Sequence, residues 1–399
     1  MFYQVLLVAS GIALLCSSGF LALVMVAARR FQRDRQQLRT NATPPVSMLK
    51  PLCGMEPNLE ANLESFFRQD YPEFEIIFGV RHSADPALAI VRSLSAKYPD
   101  VVVRIVIAGE PDRPNAKVCS LVRMYDECTH DYLVISDSDV HVTPDYLREV
   151  IPPLLDQRNG LVTCVYRGVP TGGLWSRLEA LGMSVEMTSG VIVSNLLEDM
   201  KFALGPTMAT RRDVVEQLGG FGILADYCAD DYVLGNRVHE AGRKVVLSTY
   251  AVDHVVLNRR LKDSIAHQVR WMKSARFSRP AGHVGTVFTF AMPFGLIALA
   301  AGFAADVPAI GIAFLTWAVL NRMLLATTAG WGVVRDRNAL RYFWLYPMRD
   351  LMGFCFWAAS FIGTTVVWRG ERYRLVKEGR MYPVDTPPPS RPVAVDDAA

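Results

Sequence analysis

The stretch Phe2 to Ala28 is almost continuously apolar, broken only by Gln4 and a few Ser, Gly and Cys residues. At about 1.5 Å per residue, a helix of that length crosses the roughly 30 Å hydrocarbon core of a bilayer. No basic residue precedes it, and no small-x-small cleavage site stands before the next charges, so a retained anchor over 1–28 is expected rather than a cleaved signal peptide. Arg29, Arg30, Arg33, Arg35 and Arg39 come next. By the positive-inside rule they put the chain beyond them in the cytoplasm. Composition agrees, with 51% hydrophobic residues and a mean hydropathy of +0.19, high for a wholly soluble chain. Three further apolar runs, Gly285 to Ala304, Ile310 to Ala329 and Leu351 to Trp368, predict a C-terminal transmembrane region over 285–368. Three crossings there would leave Arg369, Arg372, Arg374, Lys377 and Arg380 outside, against the same rule. Either Tyr342 to Leu351 is then interfacial or the last segment is re-entrant.

Between these membrane regions, past a basic linker over 29–45, the texture changes. From Val46 to about residue 260, short apolar runs alternate with helical patterns, which predicts βαβ units and a largely parallel sheet. Strands are expected at Val46 to Leu49, Glu75 to Val80, Val101 to Ile107, Tyr132 to Ile135, Gly160 to Tyr166 and Lys244 to Leu247. Helices are expected at Asn58 to Phe67, Pro86 to Lys97, Asn115 to Glu127, Trp175 to Val193, Arg211 to Leu218 and from Ala229 onward. Leu261 to Phe277, within a segment 261–284, reads as a basic amphipathic helix suited to a membrane surface. The end, 369–399, is basic and then Pro-rich. With 42 basic against 39 acidic residues, net charge gives no support to a nucleic-acid partner. The seven cysteines show neither CxxC nor zinc spacing and read as small apolar fillers without a disulfide framework.

Chemistry concentrates in four clusters. Tyr132 to Ile135 is a short buried strand that ends on Asp137-Ser138-Asp139, at the sheet edge where open α/β folds bind ligands. Two acids so close repel unless a cation lies between them, and hard oxygen ligands suit Mg²⁺ or Mn²⁺ on a diphosphate; they are also residues that cap helices and shape turns. Asp85 comes after the second strand, within reach of a nucleobase or ribose. Lys117 opens a helix and could pair with phosphates, though a lone lysine is commonly a solvated charge. Asp230 and Asp231 open another helix, where acids suit the helix dipole; equally, like charge and burial would raise the Asp231 pKa for work as a base. Arg270 could neutralise a leaving diphosphate and Trp271 pack on an acceptor, or both could simply anchor the interface. Together the clusters supply what sugar transfer from a nucleotide sugar needs: a nucleotide clamp, a cation and a base.

The stretches Val46-Ser-Met-Leu-Lys-Pro-Leu52, Asn62-Leu-Glu-Ser-Phe-Phe67, Ala84-Asp-Pro-Ala87, Ile135-Ser-Asp-Ser138, Ala229-Asp-Asp-Tyr232 and Arg270-Trp271 resemble the ceramide glucosyltransferase family, glycosyltransferase family 21. The resemblance covers roughly Val46 to Arg279 and the membrane layout. It implies a GT-A fold (a Rossmann-like mixed α/β sheet) with an N-terminal anchor and C-terminal transmembrane helices. It also implies a D…D…D…(Q/R)xxRW pattern carried by Asp85, Asp137, Asp231 and His267 to Trp271, with Asp231 as base and inversion at the anomeric carbon. His267 stands where that pattern has Gln or Arg, with Gln268 one place late, and either could serve in nucleotide-sugar binding. Asp139 completes a metal pair with Asp137 that the animal enzymes tend to lack. Val165 to Leu178 is similar to a bacterial branch associated with hopanoid biosynthesis. The expected reaction is therefore transfer of GlcNAc or glucose from a UDP-sugar to a membrane lipid, a hopanoid polyol ahead of ceramide, with a divalent cation, at the cytoplasmic face of the inner membrane. A processive polysaccharide synthase or an inactive nucleotide-sugar sensor are the other readings.

Overall fold

The computed structural model describes residues 1–34, 42–258, 260–368 and 370–384. Arg35, Arg39 and Asn41 of the expected linker, Arg369, and the Pro-rich end from 385 lie outside the described residues. The catalytic-type domain is built on β1 (Val46–Pro51), β2 (Phe74–Val80), β3 (Val102–Ile107), β4 (Tyr132–Ile135), β5 (Val140–His141), β6 (Asn159–Pro170), β7 (Met208–Arg211) and β8 (Lys244–Val256). They form one sheet in the order β3-β2-β1-β4-β7-β6-β8-β5. β1 pairs in parallel with both β2 and β4, and β2 with β3, while β7 runs antiparallel between β4 and β6. The expected mixed α/β sheet is thus present.

Strands covered by helices on both faces have no wet side, which is why β1, β2 and β4 read as unbroken apolar runs: Met48, Leu49, Ile76, Ile77, Phe78, Leu133 and Val134 are all fully buried. Because β1 lies between β2 and β4, chain crossovers leave it in opposite directions, and a crevice opens at its C-terminal edge. This is the switch point where such sheets hold ligands. β8 is much longer than the expected Lys244 to Leu247. Its pairing with β6 slips between Cys164↔Ser248 and Val165↔Ala251, and the strand then continues to Val256. That bulge, with Asp253 and His254 after it, interrupts the apolar pattern and hides the second half from a periodicity reading.

The membrane-facing part assembles around the N-terminal helix Phe2–Asp34, which packs against Met292–Ala304 and Pro308–Leu325. Among the described residues three helices, Phe2–Asp34, Gly173–Glu198 and Pro308–Trp331, are long and apolar enough to cross a bilayer. The run expected to span as Gly285 to Ala304 is instead a bent pair, Pro280–Thr289 and Met292–Ala304, turning by 50°. A broken helix in an apolar setting strands backbone groups that water cannot satisfy. Here two charged side chains satisfy them. Asp350 Oδ2 accepts from the Ala291 and Met292 N–H groups at 3.0 and 2.9 Å. Arg322 donates to the Thr289 carbonyl at 2.8 Å, to Asp350 Oδ1 at 3.0 Å and to Ser17 Oγ at 2.7 Å.

The third expected C-terminal span is a correction. Leu351 to Trp368 is helical only as part of Tyr346–Ser360, 15 residues, short of the roughly 20 a bilayer needs. Gly363 adopts φ +68, which ends the helix, and the β-branched run from Thr364 to Val367 prefers a strand. In place of a tail, the chain folds into a small antiparallel sheet of β9 (Thr365–Trp368), β10 (Glu371–Leu375) and β11 (Met381–Pro383). It is stitched to the α/β domain: Cys228 N–H donates to the Gly379 carbonyl at 3.1 Å, and Met381 N–H to that of Asp226 at 2.7 Å.

Removing one member of a buried ion pair leaves its partner uncompensated, at a cost of about 3–5 kcal/mol. Asp350→Ala should therefore lower the stability of the detergent-solubilised protein by about that amount, read as a fall in its unfolding midpoint.

Candidate active site

β4 ends at Ile135, and the chain turns through Ser136-Asp137-Ser138-Asp139 into β5. Lys50, the fifth residue of β1 and completely buried, lies beneath this turn. Its ammonium donates to the Asp137 carbonyl and to Ser136 Oγ, and sits 3.7 Å over the Phe66 ring. Burial pushes the Lys50 pKa down to about 7, against the opposing pull of Asp137, Asp139 and Glu56. From the other side, Ser138 Oγ donates to Glu56 at 2.6 Å, and its carbonyl accepts from Asn62 Nδ2 at 3.3 Å. The turn is therefore clamped through its backbone, which leaves the two carboxylates to be aimed separately.

Asp137 faces Lys117, with Nζ to Oδ1 at 2.8 Å. Lys117 lies in the first turn of the helix Ala116–Asp126, where the helix dipole disfavours a cation. Carboxylates compensate: the same ammonium is 3.4 Å from Asp230 Oδ2. Burial works against its charge, but Asp137 and Asp230 outweigh it and drive its pKa up. Asn115 caps that helix by accepting from the Val118 N–H at 3.1 Å, and its amide donates to the Tyr227 carbonyl at 2.9 Å. Asp231 is held by its neighbours' backbone, accepting from Gly205 N–H at 2.6 Å and Tyr232 N–H at 2.8 Å. A Cβ on Gly205 would stand 3.2 Å from Asp231 Oδ2 and 3.3 Å from Asp137 Oδ2, so these two acids line one narrow space. Burial and then the Asp230 charge raise the Asp231 pKa to about 6, Lys117 opposing.

Asp139 turns the other way. Its Oδ2 is 3.5 Å from Nε2 of His254 on β8, while Oδ1 and His254 Nδ1 are buried without a hydrogen-bond partner. The His254 ring is 6.4 Å from Trp271, and Trp271 is 4.5 Å from His267, one turn earlier on the helix Leu261–Ser278. Gln268 is buried and donates to Ser264 Oγ at 3.0 Å. The Arg270 guanidinium lies 5.7 Å from the Trp368 ring of β9. Asp85 accepts from Gly54 N–H at 3.0 Å and from Ala87 N–H at 2.9 Å, tying the loops after β1 and β2 together.

Asp137, Asp230, Asp231 and Lys117 thus meet at the switch point, with Asp139, His267 and Trp271 beside them through His254. Lys50, His254 and Glu179, which pairs with His267, escaped the sequence reading. Lys50 was visible as a lone charge in an apolar strand, and Glu179 as an acid in an apolar helix. His254 was hidden by the unread half of β8.

A mixed α/β sheet with paired acids at its switch point, joined to apolar helices long enough to cross a bilayer, accords with a membrane-associated glycosyltransferase. The chain belongs to Glycosyl transferase family 21, whose model matches residues 9–381. Ceramide glucosyltransferase 1 of Caenorhabditis elegans is 24% identical over 347 residues, covering 85% of this chain and 73% of that protein. The ceramide glucosyltransferase of Komagataella phaffii is 32% identical over 154 residues, 36% of this chain and 30% of that one. Among solved structures, the mannosyltransferase PcManGT of Pyrobaculum calidifontis, in complex with GDP-Man and Mn²⁺, has a TM-score of 0.47 at 19% identity, covering 86% of this chain and 97% of its own.

A base must be ionised to accept a proton. For Asp231 as the base expected from the sequence, its pKa raised to about 6, kcat/KM should be level above that pH and fall about tenfold per unit below it. Asp231→Asn should lower turnover by at least about a hundredfold while nucleotide-sugar binding persists, measured by transfer assay and equilibrium binding.

Proposed function

We propose that the chain transfers glucose from UDP-glucose to the primary hydroxyl of ceramide, with inversion, at the cytoplasmic face of its membrane. The observation that carries the reading is the meeting of Asp137, Asp230 and Asp231 around Lys117 at the switch point, in a chain whose relatives are named ceramide glucosyltransferases. Those names favour ceramide over the hopanoid polyol expected from the sequence, and glucose over GlcNAc. The arginines directly after the N-terminal helix support the cytoplasmic placement.

In this reading Asp85 and the Gly54 loop bind the nucleoside. Asp231 takes the proton of the acceptor hydroxyl as its oxygen bonds to the anomeric carbon, and the bond from that carbon to the diphosphate breaks. Arg270 and Lys117 face the charge that leaves. Asp139 Oδ1 and His254 Nδ1, both buried without a hydrogen-bond partner, are the oxygen and nitrogen donors a divalent cation takes, on residues that meet through Oδ2 and Nε2 at 3.5 Å. Asp137, also expected as a ligand, has Oδ1 paired with Lys117, so Asp139 is the better placed. Among the described residues no three His, Cys, Asp or Glu side chains gather round one point. Phosphate oxygens would complete the shell, as they commonly do for Mg²⁺. The ion, when bound, neutralises charge on the departing diphosphate.

Membranes containing the protein, given radiolabelled UDP-glucose, Mn²⁺ and ceramide, should yield labelled glucosylceramide. Label appearing only in a supplied hopanoid polyol would overturn the acceptor, and label in no lipid would overturn the activity. Asp139→Ala and His254→Ala should each raise the Mn²⁺ concentration for half-maximal rate by about ten- to a hundredfold.

A further inference from the structure

His267 occupies the place where the family pattern has Gln or Arg, and its surroundings are built for an imidazole. Nδ1 lies 2.8 Å from Oε1 of Glu179, a side chain 2% exposed in the helix Gly173–Leu181. Asn258 Nδ2 donates to the same carboxylate at 3.0 Å, and Ser264 Oγ donates to its other oxygen. Glu179 is therefore held rigidly before His267 reaches it. The His267 ring then packs on Trp271, Trp271 approaches His254, and His254 meets Asp139. This is a continuous line of contacts from a buried acid in the helix Gly173–Leu181 to Asp139.

The substitution changes what position 267 can do. A glutamine amide or an arginine donates N–H groups unaided. A neutral imidazole has one N–H, and the partner of one nitrogen decides the state of the other. A carboxylate facing Nδ1 keeps the proton on that nitrogen, which leaves Nε2 with its lone pair free as an acceptor. The His267 side chain is 25% exposed, whereas Gln268 is buried against Ser264 and cannot substitute for it.

We propose that Glu179 is a positioning residue of the transfer reaction: it grips His267 by Nδ1 so that Nε2 accepts a hydrogen bond from a hydroxyl of the sugar donor beside Trp271. The proposal rests on the glucosyl-transfer reading. It predicts that Glu179 matters only while position 267 is His.

The test is a double-mutant cycle on the full-length protein in membranes, reading both UDP-glucose binding and glucosylceramide formation. Glu179→Gln should weaken UDP-glucose binding and kcat/KM by about tenfold, within the range coupled neighbours show. The same change made on top of His267→Gln should cost less than about twofold, with KM for ceramide little moved in either. Equal losses in the two backgrounds would overturn the proposal, because a purely structural Glu179 would be missed whatever stands at 267. Should Glu179→Gln fail to accumulate, Glu179→Asp shortens the reach to His267 and is read in the same two backgrounds. Binding is independent of the lipid: a protein that binds UDP-glucose but labels no ceramide overturns the acceptor, while the cycle in binding still decides the role of Glu179.

Discussion

One ammonium group, Lys117 Nζ, joins three separate pieces of chain. It sits on the helix after β3, reaches Asp137 in the turn after β4, and reaches Asp230 at the start of a helix nearly a hundred residues later. Without it, Asp137, Asp230 and Asp231 would repel across a space too narrow for water to screen well. With it, the cluster keeps an excess of negative charge, and Asp230 beside Asp231 helps to hold the latter's pKa high. The crowding of like charges thereby keeps Asp231 protonated to a higher pH than a free carboxyl. Lys50 repeats the device from below, using backbone and hydroxyl oxygens of the turn so that it fixes the acids' position without neutralising them.

The membrane-facing half uses charge for a different purpose. Arg322 and Asp350 are almost wholly buried, yet each serves the backbone where the helix breaks between Thr289 and Met292. A bend at that depth is tolerated only if its freed N–H and C=O groups find partners within the protein. The bent pair delivers the chain back toward the helix Tyr346–Ser360 and the sheet β9–β11, which reaches over to the loop before Asp230. The catalytic loop and the membrane region are thus bound through main-chain hydrogen bonds from Cys228 and Met381.

Much of this was legible in the sequence because it depends on periodicity. Apolar runs such as Tyr132 to Ile135 mark buried strands, and polar loops at their ends must gather at one sheet edge, so the placing of Asp85, Asp137 and Asp139 along that edge was foreseeable. Elements that break their own pattern were not legible. β8 looked finished at Leu247 because its bulge and Asp253-His254 disturb the alternation, and His254 went unnoticed with it. The segment Leu351 to Trp368 looked like a span because hydropathy averages over the turn at Gly363. Lys50 and Glu179 gave a weaker signal, single charges in apolar surroundings, which reveals burial but not the partner.

The sequence alone determined the class of the protein: an α/β domain between apolar segments, with acids at strand and helix ends, and membership of its family by motif. These features are local, set by residue spacing along one strand or one helix turn. Only the tertiary structure decided how the two acids of Asp137-Ser138-Asp139 divide, one toward Lys117 and the other toward His254. Only there does His267, rather than Gln268, stand beside Trp271 with Glu179 behind it. Such pairings join residues far apart in the chain, and their geometry is fixed by strand register and helix packing, which no local pattern encodes.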